Sequence, residues 1–331
     1  MTLAILAIIT GFAGLIWSAD RFVCGAAGIA RNMGMAPIMI GLTIVAFGTS
    51  APEIIVAIEA SIHSASELAV GNAIGSNLAN IGLVLGITAL VSPIPITSSI
   101  IVRELPLLLF ATMGALLFLS DNYLGVTDGI VFLLTLGGIF YYLVSNKSHQ
   151  PNVEEEADVE HIPDIPMTKA WLLFFVGLVL LVVSARILVW GAKDMALTMG
   201  VSELVVGLTV VAVGTSLPEL AATVASAIKG HHDIALGNII GSNLFNLLAV
   251  MAMPALIHPE ALEPEVFSRD YLSMTAITLL LASILYFHRL LASTQKSVAH
   301  QTTTQKMGRI GRVEGALLLL GYIAYYYILF P

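Results

Sequence analysis

The sequence predicts an all-α integral membrane protein of about ten transmembrane helices, built as two inverted five-helix repeats, and three observations lead there. First, the 331 residues are 57% hydrophobic and only 11% charged, with mean hydropathy +0.92; a water-soluble domain carries about a quarter charged residues. Second, GLTIVAFGTSAPE at Gly41–Glu53 recurs as GLTVVAVGTSLPE at Gly207–Glu219, and GNAIGSNLAN at Gly71–Asn80 recurs as GNIIGSNLFN at Gly237–Asn246. The offset is 166 throughout, and the register runs without a gap from Ser18/Ser184 to Pro93/Pro259. Third, each repeat carries one carboxylate, Glu53 or Glu219, inside an otherwise apolar segment. An acid in that setting marks function in a membrane protein.

Stretches of roughly 18 or more mostly apolar residues fall near 2–24, 36–62, 68–92, 104–120, 124–144, 170–192, 202–228, 234–257, 271–288 and 313–330. The first lacks a basic leader and its tail Ser18–Gly25 matches Ser184–Gly191, so it reads as a retained helix rather than a secretory signal. Its Cys24 is the single cysteine, which excludes an intramolecular disulfide framework and reads as a small buried apolar residue. Five spans is an odd number, so homologous units inserted in series point in opposite directions. Inverted repeats place binding sites where the two units meet, on interrupted helices.

The expected division is 1–147 for the first repeat, 148–168 for an acidic cytoplasmic linker and 169–331 for the second repeat. Glu154, Glu155, Glu156, Asp158, Glu160 and Asp164 give the linker its charge, without the spacing of a calcium-binding loop. With the N-terminus outside, the inward loops collect eleven of the Lys and Arg residues, leaving Arg186, Lys193 and Arg269 outside. The positive-inside rule therefore sets both termini outside a cytoplasmic membrane.

Pro52 and Pro218 lack an amide hydrogen, so the Gly48 and Gly214 carbonyls lose their intrahelical donors and an interruption is expected at Gly48–Pro52 and its twin. A packing kink is the alternative. Thr49, Ser50 and Glu53 follow the i, i+1, i+4 spacing that carries hydroxyls toward the face of the carboxylate, and Thr215, Ser216 and Glu219 repeat it. Burying one such acid costs at least ~2–3 kcal/mol on the lenient insertion scales. Neither motif holds a Lys or Arg to neutralise it, so a cation or a proton must. Asn72, Ser76 and Asn80 stand four apart on one helix face, as do Asn238, Ser242 and Asn246, with Asn77 and Asn243 adjacent. Gly71, Gly75, Gly237 and Gly241 are explained by tight helix packing; the repeated amides are not. Two carboxylates with hydroxyl, amide and carbonyl oxygens suit a hard divalent cation, Ca²⁺ foremost.

Paired G-T-S-x-P-E and G-N-x-x-G-S-N-x-x-N segments, in two five-span halves, resemble the alpha repeats of the cation/calcium exchanger superfamily, specifically a prokaryotic sodium/calcium exchanger. The resemblance covers essentially the whole chain. It implies an antiporter in which Na⁺ entry drives Ca²⁺ out through one central site by alternating access, with no cofactor. It further implies Glu53 and Glu219 as the main Ca²⁺ ligands. Thr49, Ser50, Thr215, Ser216, Ser76 and Ser242, with the carbonyls of Ala46 and Ala212, would line flanking Na⁺ sites, and Asn80 and Asn246, beside Asn77 and Asn243, would complete the centre. Potassium-dependent members place Asp where this chain has Asn246, and the proton-coupled branch has Glu at the positions of Gly75 and Gly241. Na⁺ coupling is therefore the expectation, with a proton- or potassium-coupled antiporter as the alternative and an intramembrane enzyme or a channel as remote ones. The expected partners are the two ions and the lipid bilayer, with no nucleic acid; a monomer suffices for transport and the oligomeric state is unassigned. His231 and His232 read as a hydrophilic loop, while Glu59 and Asp20, replaced by Ala225 and Arg186 in the other repeat, lie outside the symmetric site.

Overall fold

A computed structural model describes residues 1–145, 164–200, 212–296 and 308–329. Among them nine helices are long and apolar enough to cross a membrane: α1 Thr2–Met33, α2 Pro37–Ile62, α3 Ser66–Val91, α4 Ile100–Leu119, α5 Val126–Ser145, α6 Met167–Thr198, α8 His232–Ile257, α9 Val266–Ala292 and α10 Arg312–Leu329. Between α6 and α8 lies the shorter apolar helix α7, Leu217–Ile228, preceded by one turn at Ala212–Thr215. The expected seventh span thus falls partly outside the described residues, as do the acidic residues 154–160 of the linker.

α1 and α6 are each 32 residues long, roughly 48 Å at the rise of an α-helix. That exceeds the ~30 Å hydrocarbon layer, so both must tilt or project. The sequence placed their ends earlier, because the polar residues near Arg31 and Lys193 break the apolar run without breaking the helix. The two pack directly on each other through glycines. A Cβ at Gly25 would strike the Phe174 backbone and lie 2.7 Å from the Ala170 carbonyl, and one at the twin Gly191 would lie 2.7 Å from the Ala4 carbonyl. Early residues of one helix meet late residues of the other, so equivalent helices run antiparallel and the repeats are inverted.

Four two-residue strands join the halves: β1 (Ile94–Pro95), β2 (Tyr123–Leu124), β3 (Glu260–Ala261) and β4 (Arg309–Ile310). β1 pairs antiparallel with β4 and β2 with β3, in the registers Ile94 to Ile310 and Leu124 to Glu260. The Ile96 amide also bonds the Gly308 carbonyl at 3.0 Å, and the Leu262 amide that of Asn122 at 2.8 Å. Each ribbon is the other's symmetry mate, and each crosses between repeats.

The duplication extends past Pro93 and Pro259. α4 opens with a π-helical stretch at Ile100–Glu104 and α9 with one at Val266–Tyr271, which puts Arg103–Glu104 at the same offset from Arg269–Asp270. Ser99 bonds both oxygens of Glu104, at 3.1 and 3.3 Å. Asp270 is held by Arg269 at 2.7 Å and by the Tyr325 hydroxyl at 3.2 Å.

Candidate ion site

Four segments carry the duplicated motifs to the interior: α2, α3, the turn at Ala212–Thr215 with α7, and α8. In the first half the expected interruption is not found. The helix Ala46–Ile62 runs through Pro52, after a π-helical stretch at Gly41–Val45. One proline deletes one amide donor, and the bonds on either side hold the helix together inside a packed bundle. In the second half the chain does break. Ser216 leaves the helix at φ −89°, ψ 5°, and α7 restarts with Pro218 in its first turn, where a missing amide hydrogen costs nothing.

Glu53 and Glu219 are both 2% exposed and lie close enough to feel each other's charge. Thr49 sits between the halves. Its hydroxyl is 3.1 Å from Asn238 Oδ1, 3.4 Å from the Ser242 hydroxyl and beside the Glu219 carboxylate. Asn238 is fixed in turn by its Nδ2 donating to Thr223 at 3.0 Å. The Ala46 carbonyl, at the first turn of the helix Ala46–Ile62, accepts from the Thr49 hydroxyl at 3.3 Å. Thr215 is half-buried, and with Glu53, Asn72, Pro52 and Pro218 it lines a cavity of about 250 Å³ bounded on the far side by α6.

Several buried polar atoms here have no hydrogen-bond partner among the described residues. They include Ser50 Oγ with its twin Ser216 Oγ, Glu53 Oε2 with Glu219 Oε2, Asn77 Oδ1 with Asn243 Oδ1, and Asn80 Oδ1 with Asn246 Oδ1. Leaving a buried polar atom unmatched costs ~1–3 kcal/mol, and here the omission comes in four symmetric pairs. The amides are oriented for it: Asn243 donates its Nδ2 to the Ile239 carbonyl at 2.7 Å and Asn77 donates to Met274 Sδ at 3.5 Å, so each presents oxygen. Ser76 is buried as well. Ala212 opens the single turn Ala212–Thr215.

Asn238 was legible on the face shared with Ser242 and Asn246, yet nothing in the spacing told it apart as the link to Thr49. The Arg103–Glu104 and Arg269–Asp270 pairs were missed because similarity fades after Pro93; extending the fixed offset ten residues would have found them. His231 differs from expectation. It is buried rather than hydrophilic, and burial, then the charges of Lys229 and His232, hold its imidazole below the ordinary range.

The family model for sodium/calcium exchanger proteins matches residues 3–145 and 169–330. The putative antiporter CaxA of Alkalimonas amylolytica is 44% identical over 336 residues, covering 100% of this chain and 99% of its own. The inner membrane protein YrbG of Escherichia coli strain K12 is 40% identical over 85% of this chain and 88% of its own. Among solved structures, the sodium-calcium exchanger NCX_Mj superposes with TM-score 0.80 at 30% identity, covering 99% of both chains. With both repeats matched, this chain belongs to the sodium/calcium exchanger protein family and has the architecture of a multi-pass membrane cation/calcium antiporter.

Proposed function

We propose that the protein exchanges Na⁺ for Ca²⁺ across a cytoplasmic membrane, with both termini outside, at a single centre built on Glu53 and Glu219. The observation that carries this is the set of three twin pairs of unmatched buried hydroxyl and amide oxygens around two close carboxylates. Two negative charges and a surplus of neutral oxygens fit a divalent cation that takes six to eight oxygens. The same oxygens can be shared among monovalent ions, which then compete for the carboxylates. Competition makes the exchange obligatory: the carboxylates cannot serve both loads at once. Ca²⁺ would sit on Glu53 and Glu219 with Asn80 and Asn246, and Na⁺ on the flanking hydroxyls of Thr49, Ser50, Ser76, Thr215, Ser216 and Ser242 with the Ala46 and Ala212 carbonyls. Asn77 and Asn243, whose side-chain oxygens are unmatched, would complete the centre beside Asn80 and Asn246.

The test is ⁴⁵Ca²⁺ uptake into proteoliposomes loaded with Na⁺ and diluted in parallel into Na⁺-free, K⁺-containing and pH-jumped buffers. Uptake driven by the outward Na⁺ gradient alone is the expected result. Uptake that follows the pH jump or needs K⁺ would replace Na⁺ coupling by the proton- or potassium-coupled reading. The neutral Asn246 favours Na⁺, and Asn246→Asp is expected to change the ion preference; an unchanged profile would remove that support.

A further inference from the structure

Four charged positions flank the central site, and their pattern of substitution between repeats is informative. Asp20 on α1 is the twin of Arg186 on α6; Lys229, just past α7, is the twin of His63, just past α2; and Ala225 is the twin of Glu59. Where one interface between the halves sets an acid on the long helix against a base at the end of the facing helix, the other sets a base on the long helix against an acid near the end of the facing helix.

The first arrangement is engaged. Lys229 Nζ lies 2.6 Å from Asp20 Oδ1 and 3.5 Å from the Asp20 carbonyl, with Arg21 Nε 3.8 Å from the other carboxylate oxygen. Beneath this contact α1 is sealed onto α7: Ala19, Phe22 and Val23 share one apolar cluster with Ala222, against which Ala225 packs. The second arrangement is open. Arg186 lines the cavity at Glu53 together with Pro52 and Val56, and Glu59 follows Val56 on the same stripe of α2. Neither Arg186 nor Glu59 has an ion-pair partner among the described residues.

Applying the twofold relation to the sealed side brings α6 down on α2 as α1 now lies on α7. Arg186 then faces the end of α2 as Asp20 faces Lys229, and Glu59 supplies the opposite charge one turn before His63. The longer arm of arginine covers that extra turn.

We propose that Asp20–Lys229 and Arg186–Glu59 are alternative latches, the first holding the α1–α7 face shut while the cavity at Glu53 is open, the second closing that cavity in the mirror state. This rests on the antiporter reading, which requires the two states. Ion pairs of this kind set the balance between states without touching the transported ion.

The test uses twin reporters in a Cys24→Ala background: Val56→Cys on the cavity wall and Ala222→Cys at the sealed equivalent, each alkylated by a maleimide in the purified protein. Lys229→Gln is expected to raise Ala222→Cys labelling and slow Val56→Cys labelling by about two- to fivefold, the scale of a partly exposed pair. Glu59→Gln is expected to shift both rates the other way, and the swap Asp20→Lys with Lys229→Asp to restore the original rates. Shifts in the same direction, no shifts, or a swap without recovery would overturn the latches. If Ala222→Cys shows no cooperative thermal transition, the sign test is carried by Val56→Cys alone. ⁴⁵Ca²⁺ uptake by the Cys24→Ala parent separates the two readings. Na⁺-driven uptake with failed signs condemns only the latches, whereas no uptake under any gradient condemns the antiporter reading and the latches' place in its cycle with it.

Discussion

The two faces of the α1–α6 pair differ although the sequence that builds them is duplicated. On the α1 face Ala19, Phe22 and Val23 are packed onto Ala222, and Thr49 is bonded into α8 through Asn238 and Ser242. On the α6 face the equivalent stretch Ala185–Val189 borders a cavity that reaches Glu53 and Thr215. Pseudo-symmetric sequence has produced an asymmetric shape. The difference teaches that one duplicated sequence can pack in two ways, sealed on the α1 face and open on the α6 face; under the proposed antiport, exchanging these two packings is what alternating access would consist of.

The centre itself is where the halves should remain equal. Glu53→Gln and Glu219→Gln are each expected to cut gradient-driven ⁴⁵Ca²⁺ uptake by roughly 100-fold or more, since each removes half the charge that offsets the cost of dehydrating the ion. Wild-type uptake in either variant would break the equivalence and the site assignment together.

The contact between α1 and α6 is equal by construction as well, and there the expected effect is on stability. Gly25→Ala and Gly191→Ala each drive a methyl into the partner's backbone, so both should lower the unfolding temperature, by an equivalent of ~1–3 kcal/mol for overpacking. A Gly191→Ala protein that melts like wild type would show that the helices part more easily than their packing indicates.

A smaller and unequal pair sharpens the contrast between the faces. Thr49→Val leaves Asn238 Oδ1 without its donor inside the sealed face and should cost ~1–3 kcal/mol. Thr215→Val, at the cavity wall where water replaces lost bonds, should cost distinctly less. Thermal unfolding of both in the same detergent decides, and equal shifts would mean that the cavity is dry.

The smallest effect is expected outside the centre. Tyr325→Phe removes one bond to Asp270, which keeps its pairing with Arg269, so about 0.5–1.5 kcal/mol should be lost at most. A larger loss would give this peripheral acid a weight that its geometry does not.

Much of this was legible beforehand because a membrane chain exposes its logic in its composition. The spans followed from apolar length, and the inversion from an odd count of spans. Glu53 and Glu219 stood out because acids in hydrocarbon are costly. Two things were hidden. Whether a proline breaks a helix depends on what packs around it, so Pro52 and Pro218 read alike while one helix continues and the other stops at Ser216. Which copy of a duplicated interface is closed is equally invisible, because Asn72 and Asn238 occupy the same place in the repeated motif and have different neighbours in space.

The two short ribbons bear on how the chain comes to be assembled. β1 is made early in synthesis, but its partner β4 begins at Arg309, after eight of the ten helices have already left the ribosome and a ninth is complete. Until then an edge with unpaired amides waits at the membrane surface, and β2 waits for β3 over a shorter stretch. Neither half can finish alone. Long-range pairing of this kind postpones closure to the last steps of biogenesis, so a truncated chain ending after Ser145 would present both edges unpaired and be a natural substrate for membrane quality control.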